Sequence, residues 1–249
     1  MATALARFKP RSGFSHIIHI ALVALLPALV YGFVATDFEE VALALVLLSK
    51  WRMLAVRPRH WPANIRANAV DLIVGLALLI FMTQSGSMSF QLLWTAVYAA
   101  WLLLLKPRSD LLSVSLQAVA AQFLGLAAIF LSWSDASLLV LVITSWAVCY
   151  SAARHFFVSF EEPYTSLFSH AWGYFAAALV WVLGHWLLFY GVIAQPTLLL
   201  TVIGYGLATL YYLDQKDRLS MLMRRQFIFI MVAIVTVVLI FSDWGDKTV

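Results

Sequence analysis

Charge is scarce in this chain: of its 249 residues only 11% are charged, while 63% are hydrophobic and the mean hydropathy is +0.92. An ordinary globular domain is about a quarter charged, so water is not the main solvent here. Cysteine is nearly absent as well. The single Cys149 lies in an apolar run, which excludes an intrachain disulfide and any cysteine-built metal site; it reads as a small buried apolar residue. There is no phosphate-binding glycine loop, no nucleophile elbow, no His-Glu-x-x-His pair and no nucleic-acid module. The formal charge of +4 and the pI near 9.3 therefore do not point to nucleic acid, because distribution counts for more than the total.

What is present is a series of long apolar segments. They run approximately over 16–34, 38–56, 65–83, 88–105, 110–132, 136–157, 167–190, 196–213 and 226–242. A span takes about 20 residues, so nine spans use about 180 and leave short connections. Backbone groups in lipid must be bonded within their own segment, and a barrel would show short alternating strands. The expectation is an all-α, polytopic transmembrane helical bundle of about nine helices in a single transmembrane domain over 1–249. Arg7, Lys9 and Arg11 precede the first apolar stretch, but that stretch is longer than a signal core of about 7–15 residues, contains Pro27 and lacks a small-x-small cleavage site. It reads as a retained first helix.

Every other connection is basic. With the N-terminus in the cytoplasm and the C-terminus outside, fifteen of the sixteen lysines and arginines fall on the cytoplasmic side, Lys247 being the exception, as the positive-inside rule expects. The opposite turns carry Asp37, Glu39, Glu40 and Asp135 or are neutral. Trp51, Trp61 and Trp101 fall near the inner interface, and Trp133, Trp186 and Trp244 near the outer one, the depth amphipathic rings prefer. The cell membrane is the expected location.

Polar residues inside spans are costly and therefore informative. Asn64, Asn68, Asp71 and Gly75 are spaced by four, three and four, which puts them on one face of the third helix. Just before them comes a basic, aromatic hairpin with Lys50, Trp51, Arg52, Arg57, Arg59, His60, Trp61 and Arg66. Guanidinium groups hold phosphate bidentately, so Arg52, Arg59, Arg66, Asn68 and Asp71 form a candidate substrate-binding set for an anionic or lipid-linked molecule. Contacts with anionic phospholipid at the cytoplasmic face explain the same cations without a specific ligand.

A second set occupies the turn between the sixth and seventh helices: His155, Glu161, Glu162 and His170, with Arg154 beside them. A carboxylate near histidine can serve as a general base or as part of a metal site; the spacing names no metal and no cofactor. The bland alternative is a solvated turn whose glutamates offset nearby arginines. The glutamate pair resembles the opening of the CAAX-type intramembrane protease pattern, but Ser166 stands where that family has arginine, Trp181 stands four before His185, and no histidine follows His185. Thr201, Val202, Ile203, Gly204, Tyr205 and Gly206 resemble a potassium-channel filter with an extra isoleucine; inside a helix-length apolar segment, the glycines are better suited to close helix packing. The same holds for Gly173 with Ala177 and Gly204 with Ala208. His16 and His19 share the inner end of the first helix, and Gln117 and Gln122 point to opposite faces of the fifth, where interhelical hydrogen bonds are the default.

Three classes of function remain at this stage. The first is binding or processing of an anionic or lipid-linked substrate at the cytoplasmic interface. The second is a noncatalytic subunit with membrane-protein partners. The third is transport of a small apolar or zwitterionic solute, which the scarcity of midmembrane acids disfavours for ions or protons.

Overall fold

The apolar runs become helices because each peptide group in a span finds its partner within its own segment. The computed structural model describes residues 13–186 and 189–243, and among them nine α-helices. These are α1 (Gly13–Ala35), α2 (Glu39–Leu48), α3 (Trp61–Thr83), α4 (Met88–Ala100), α5 (Leu111–Ser132), α6 (Leu138–Ser159), α7 (Thr165–Leu183), α8 (Gln195–Gln215) and α9 (Met221–Phe241). Seven of them are long and apolar enough to cross a membrane, and α1 is apolar over Ile20–Ala35. The protein is an all-α polytopic bundle, a multi-pass membrane protein.

Two elements depart from the expected segments. The second was expected over 38–56, but α2 has only ten residues, about 15 Å at 1.5 Å per residue. The chain then turns through two short 3-10 segments, Trp51–Met53 and Pro58–His60, because Lys50 folds back onto Asp71 of α3. The seventh, expected over 167–190, stops at Leu183 with Gly184 as its cap. The apolar residues beyond pair instead as a two-stranded antiparallel hairpin, β1 (Phe189–Tyr190) with β2 (Ile193–Ala194). Gly191, at φ 63°, supplies the left-handed residue that so tight a turn needs. Elsewhere α4 continues through a single π turn, Trp101–Leu105, and α1 runs unbroken past Pro27.

Half of the apolar span of α5 is buried, against 6% for α9, so α5 is the centre of the bundle and α9 its periphery. One buried cluster lies on the N-terminal side and includes Val30, Val46, Val74, Leu78, Tyr98 and Ala121. A second joins α5 to α8 through Leu126, Cys149, Ala176, Val180 and Leu200. Ile73 packs against both. Glycine permits the closest crossings: a Cβ on Gly125 would lie 2.6 Å from Ile73 Cγ2. One on Gly206 would lie 2.8 Å from Met231 Sδ of α9. The filter-like stretch is thus an uninterrupted part of α8 that packs on α9.

Candidate functional site

Cross-helix bonds gather the alternate turns at one end of the bundle. Asp71 of α3 meets Lys50 after α2 and Lys106 after α4; His155 of α6 meets Gln117 of α5; Glu162 after α6 meets Tyr211 of α8. These turns carry most of the cations, and we refer to this as the basic end.

The polar face of α3 looks at protein. The Asp71 carboxylate accepts from Lys50 Nζ and Lys106 Nζ at one oxygen and from Trp101 Nε1, at 2.9 Å, at the other. Lys50 and Asp71 are 8% and 11% exposed, while Lys106 is 42% exposed. Asn64 Nδ2 donates to Met53 O (3.2 Å) and Trp61 Nε1 to Leu54 O and Val56 O, which ties the preceding hairpin to α3. Asn68 Nδ2 donates to Asn64 O in its own helix, and Arg66 Nε to Pro62 O. Arg59 is exposed and donates to His60 Nε2 at 2.9 Å. Of the five residues of the first candidate set, Asp71 is committed to two lysines, Asn68 to its own helix, and Arg59 and Arg66 stay on the outer surface. The Arg52 side chain lies outside the described residues, as do those of His16 and His19.

The second set is dispersed among three neighbours. His155 Nε2 is 3.0 Å from Gln117 Oε1, and Gln117 Nε2 donates to Leu105 O and Arg108 O. One glutamine thereby closes the carbonyl end of α4 and tethers α6 to it. His170 hydrogen-bonds Ser166 O through Nδ1 and packs on Tyr150 at 4.7 Å between ring centroids. Glu161 is exposed in the turn. No group of three His, Cys, Asp or Glu side chains suited to a metal occurs among the described residues.

Glu162 is placed by the way α6 ends. Glu161 N–H donates to Val158 O and Glu162 N–H to Phe157 O, with Glu161 at φ 53°, a Schellman ending with a glutamate where glycine is usual. Asp37 and Asp217 end α1 and α8 in the same way, so the strained backbone is not special to this turn. Its effect here is to aim the Glu162 side chain at α8, where its Oε2 accepts the Tyr211 hydroxyl proton.

Tyr211 also lines a cavity of about 550 Å³ bounded by α5, α6, α7 and α8. This falls within the range of about 300–1,000 Å³ typical of small-molecule sites. Its walls are aliphatic and aromatic, including Phe156, Phe157, Phe168 and Trp172, and no lining residue is charged. At the inner end Gln122 donates to Leu200 O and accepts from Trp172 Nε1, both at 2.8 Å, so its amide is occupied by the protein. On α8 the lining runs from Ile203 to Tyr211, a rise of about 12 Å at 1.5 Å per residue. Phe168, Phe175 and Leu207 line the cavity and are 38%, 44% and 48% exposed. The cavity is therefore an open cleft with half-exposed side chains of α7 and α8 at its edge. Spacing alone missed it, because its walls come from four helices; the small residues Gly204 and Ala208 were the available signal. Comparison with protein-family models, with curated proteins and with solved structures finds no match.

Proposed function

We propose that this membrane protein binds a lipid-type amphiphile, with an acyl or prenyl chain in the α5–α8 cleft and a polar head at the basic end, which we assign to the cytoplasmic face of the cell membrane. The observation that carries the reading is the apolar cleft itself: about 550 Å³, uncharged walls, an open side edged by α7 and α8 residues, and a polar edge at Tyr211 and Glu162. Apolar walls with a few polar groups at one edge are what a chain-bearing ligand needs. Entry between α7 and α8 would let the chain leave the bilayer without crossing water. The dispersion of His155, Glu162 and His170 among separate partners favours holding the ligand over transforming it.

The test is native mass spectrometry after gentle extraction. The wild-type protein should retain one lipid-sized ligand. Ala208→Phe and Ala171→Trp, which fill the cleft, should lose it while eluting as the wild type does. Ile230→Phe, equally bulky but on the exposed surface of α9, should keep it. The same bulk lipid pattern in all four proteins would overturn the proposal.

A further inference from the structure

We infer that the head of this cleft selects an amphiphile carrying a cationic nitrogen, an ammonium headgroup of the choline or ethanolamine class, with Glu162 as its counter-charge. The inference rests on the cleft being a lipid site and adds which headgroup it takes.

Three observations lead there. Among the described residues Glu162 takes part in no ion pair, although it sits at the end of the molecule where the cations gather. Among the described residues its carboxylate accepts one hydrogen bond, from Tyr211, a residue of the cleft wall. A neutral phenol leaves the carboxylate charge uncompensated at the mouth of a low-dielectric cavity, where a counter-charge counts for most.

The rings around Tyr211, the partner of Glu162, supply the second. Tyr211 stands 5.4 Å from Phe157, 5.8 Å from Phe156 and 5.4 Å from Phe160 between centroids, and Phe157 stands 5.3 Å from Phe168. Phe156, Phe157, Phe168 and Tyr211 all line the cleft. Aromatic faces attract ammonium groups, and quaternary ammonium ligands are recognised by such ring clusters. A carboxylate with several rings suits an alkylammonium and repels a headgroup that offers only phosphate.

The third is where the guanidinium groups are. Arg59 and Arg66, the groups suited to a bare phosphate, are bonded within the segment at the start of α3 and do not line the cleft. Lys216 and Arg218 follow Tyr211 within seven residues. They lie in the turn after α8, outside the cleft wall.

The experiment is a competition, read by native mass spectrometry, between phosphatidylcholine and phosphatidylglycerol of identical chains, supplied in equal amounts in detergent micelles. Wild-type protein should retain the choline lipid about tenfold over the glycerol lipid, the size of a partly desolvated cation–π and charge contact. Glu162→Gln still accepts the Tyr211 hydrogen bond and loses only the charge; it should bring the preference near unity with total lipid unchanged. Tyr211→Phe keeps ring and carboxylate and should keep the preference. An excess of alkyltrimethylammonium, which has the nitrogen without phosphate, should displace the choline lipid if the nitrogen is what is read. Equal or greater retention of phosphatidylglycerol by the wild type, or an undiminished preference in Glu162→Gln, would overturn the headgroup assignment and leave the cleft reading standing. Retention of neither lipid above the level of Ala208→Phe would overturn both.

Discussion

Replacing Asp71 by asparagine keeps the shape of the side chain and removes the carboxylate that Lys50 and Lys106 share. The two lysines respond differently. Lys106 is 42% exposed, so its ammonium can swing to water, and the loss there is about 0–1 kcal/mol, as for a surface pair. Lys50 is 8% exposed, with its amine held against α3, and a buried charge robbed of its partner costs about 3–5 kcal/mol. Trp101 Nε1 keeps an acceptor in the asparagine oxygen, so that bond adds little. The sum is a destabilisation of about 3–5 kcal/mol, and at roughly 2–4 °C per kcal/mol for a chain of this size the melting temperature should fall by about 10 °C. Lys50→Met in the same protein removes the stranded charge and should restore most of the loss, because apolar replacement of a complete buried pair is often neutral or stabilising. The assay is thermal unfolding followed by tryptophan fluorescence in detergent, with elution profile as the check on fold. A shift below about 2 °C for Asp71→Asn, or a double variant no more stable than the single, would refute the reasoning that Lys50 is a buried charge dependent on Asp71.

Three other substitutions test the packing and the caps. Gly125→Ala places a methyl 2.6 Å from Ile73 Cγ2 and 3.0 Å from Val148 Cγ1 and should destabilise by about 1–3 kcal/mol. Gly32→Ala meets nothing within 4 Å and should instead stabilise by up to about 1 kcal/mol; paired melts of the two proteins decide the point. Asp110 caps α5 by accepting from Ser113 N at 3.1 Å, and its hydrogen bonds with Ser113 hold the carboxyl below the usual carboxylate range. A lowered native value means the cap stabilises above the ordinary carboxylate pKa and ceases to do so as pH falls through the lower native one. Asp110→Ala should therefore melt below the wild type at neutral pH and match it in strong acid; a gap that does not depend on pH would contradict the cap.

Much of the fold was legible because the signal is local. A span must be apolar over its whole length, so the segments near 88–105, 110–132 and 196–213 agree with α4 and its π turn, α5 and α8 to within a few residues. The two misjudged elements share a cause, since apolar character continued past the helix end in both. Lys50 stopped α2 for the sake of a carboxylate 21 residues away. The residues beyond Gly184 gave up helix for a hairpin turned by Gly191. Gln117 and Gln122 make the interhelical hydrogen bonds expected of them: one meets His155 of α6 and the other Trp172 of α7.

The candidate site divides along the same line. Composition and apolar spacing by themselves determined an all-α membrane bundle with its cations in alternate turns, because the cost of burying peptide groups and charges in lipid acts on each segment separately. Only the tertiary structure decided that Asp71 is spent on two lysines, that Glu162 belongs with a tyrosine 49 residues away, and that four helices leave a cleft between them. Those outcomes depend on which side chains meet across helices, and contact between distant segments leaves no trace in the hydropathy of either one.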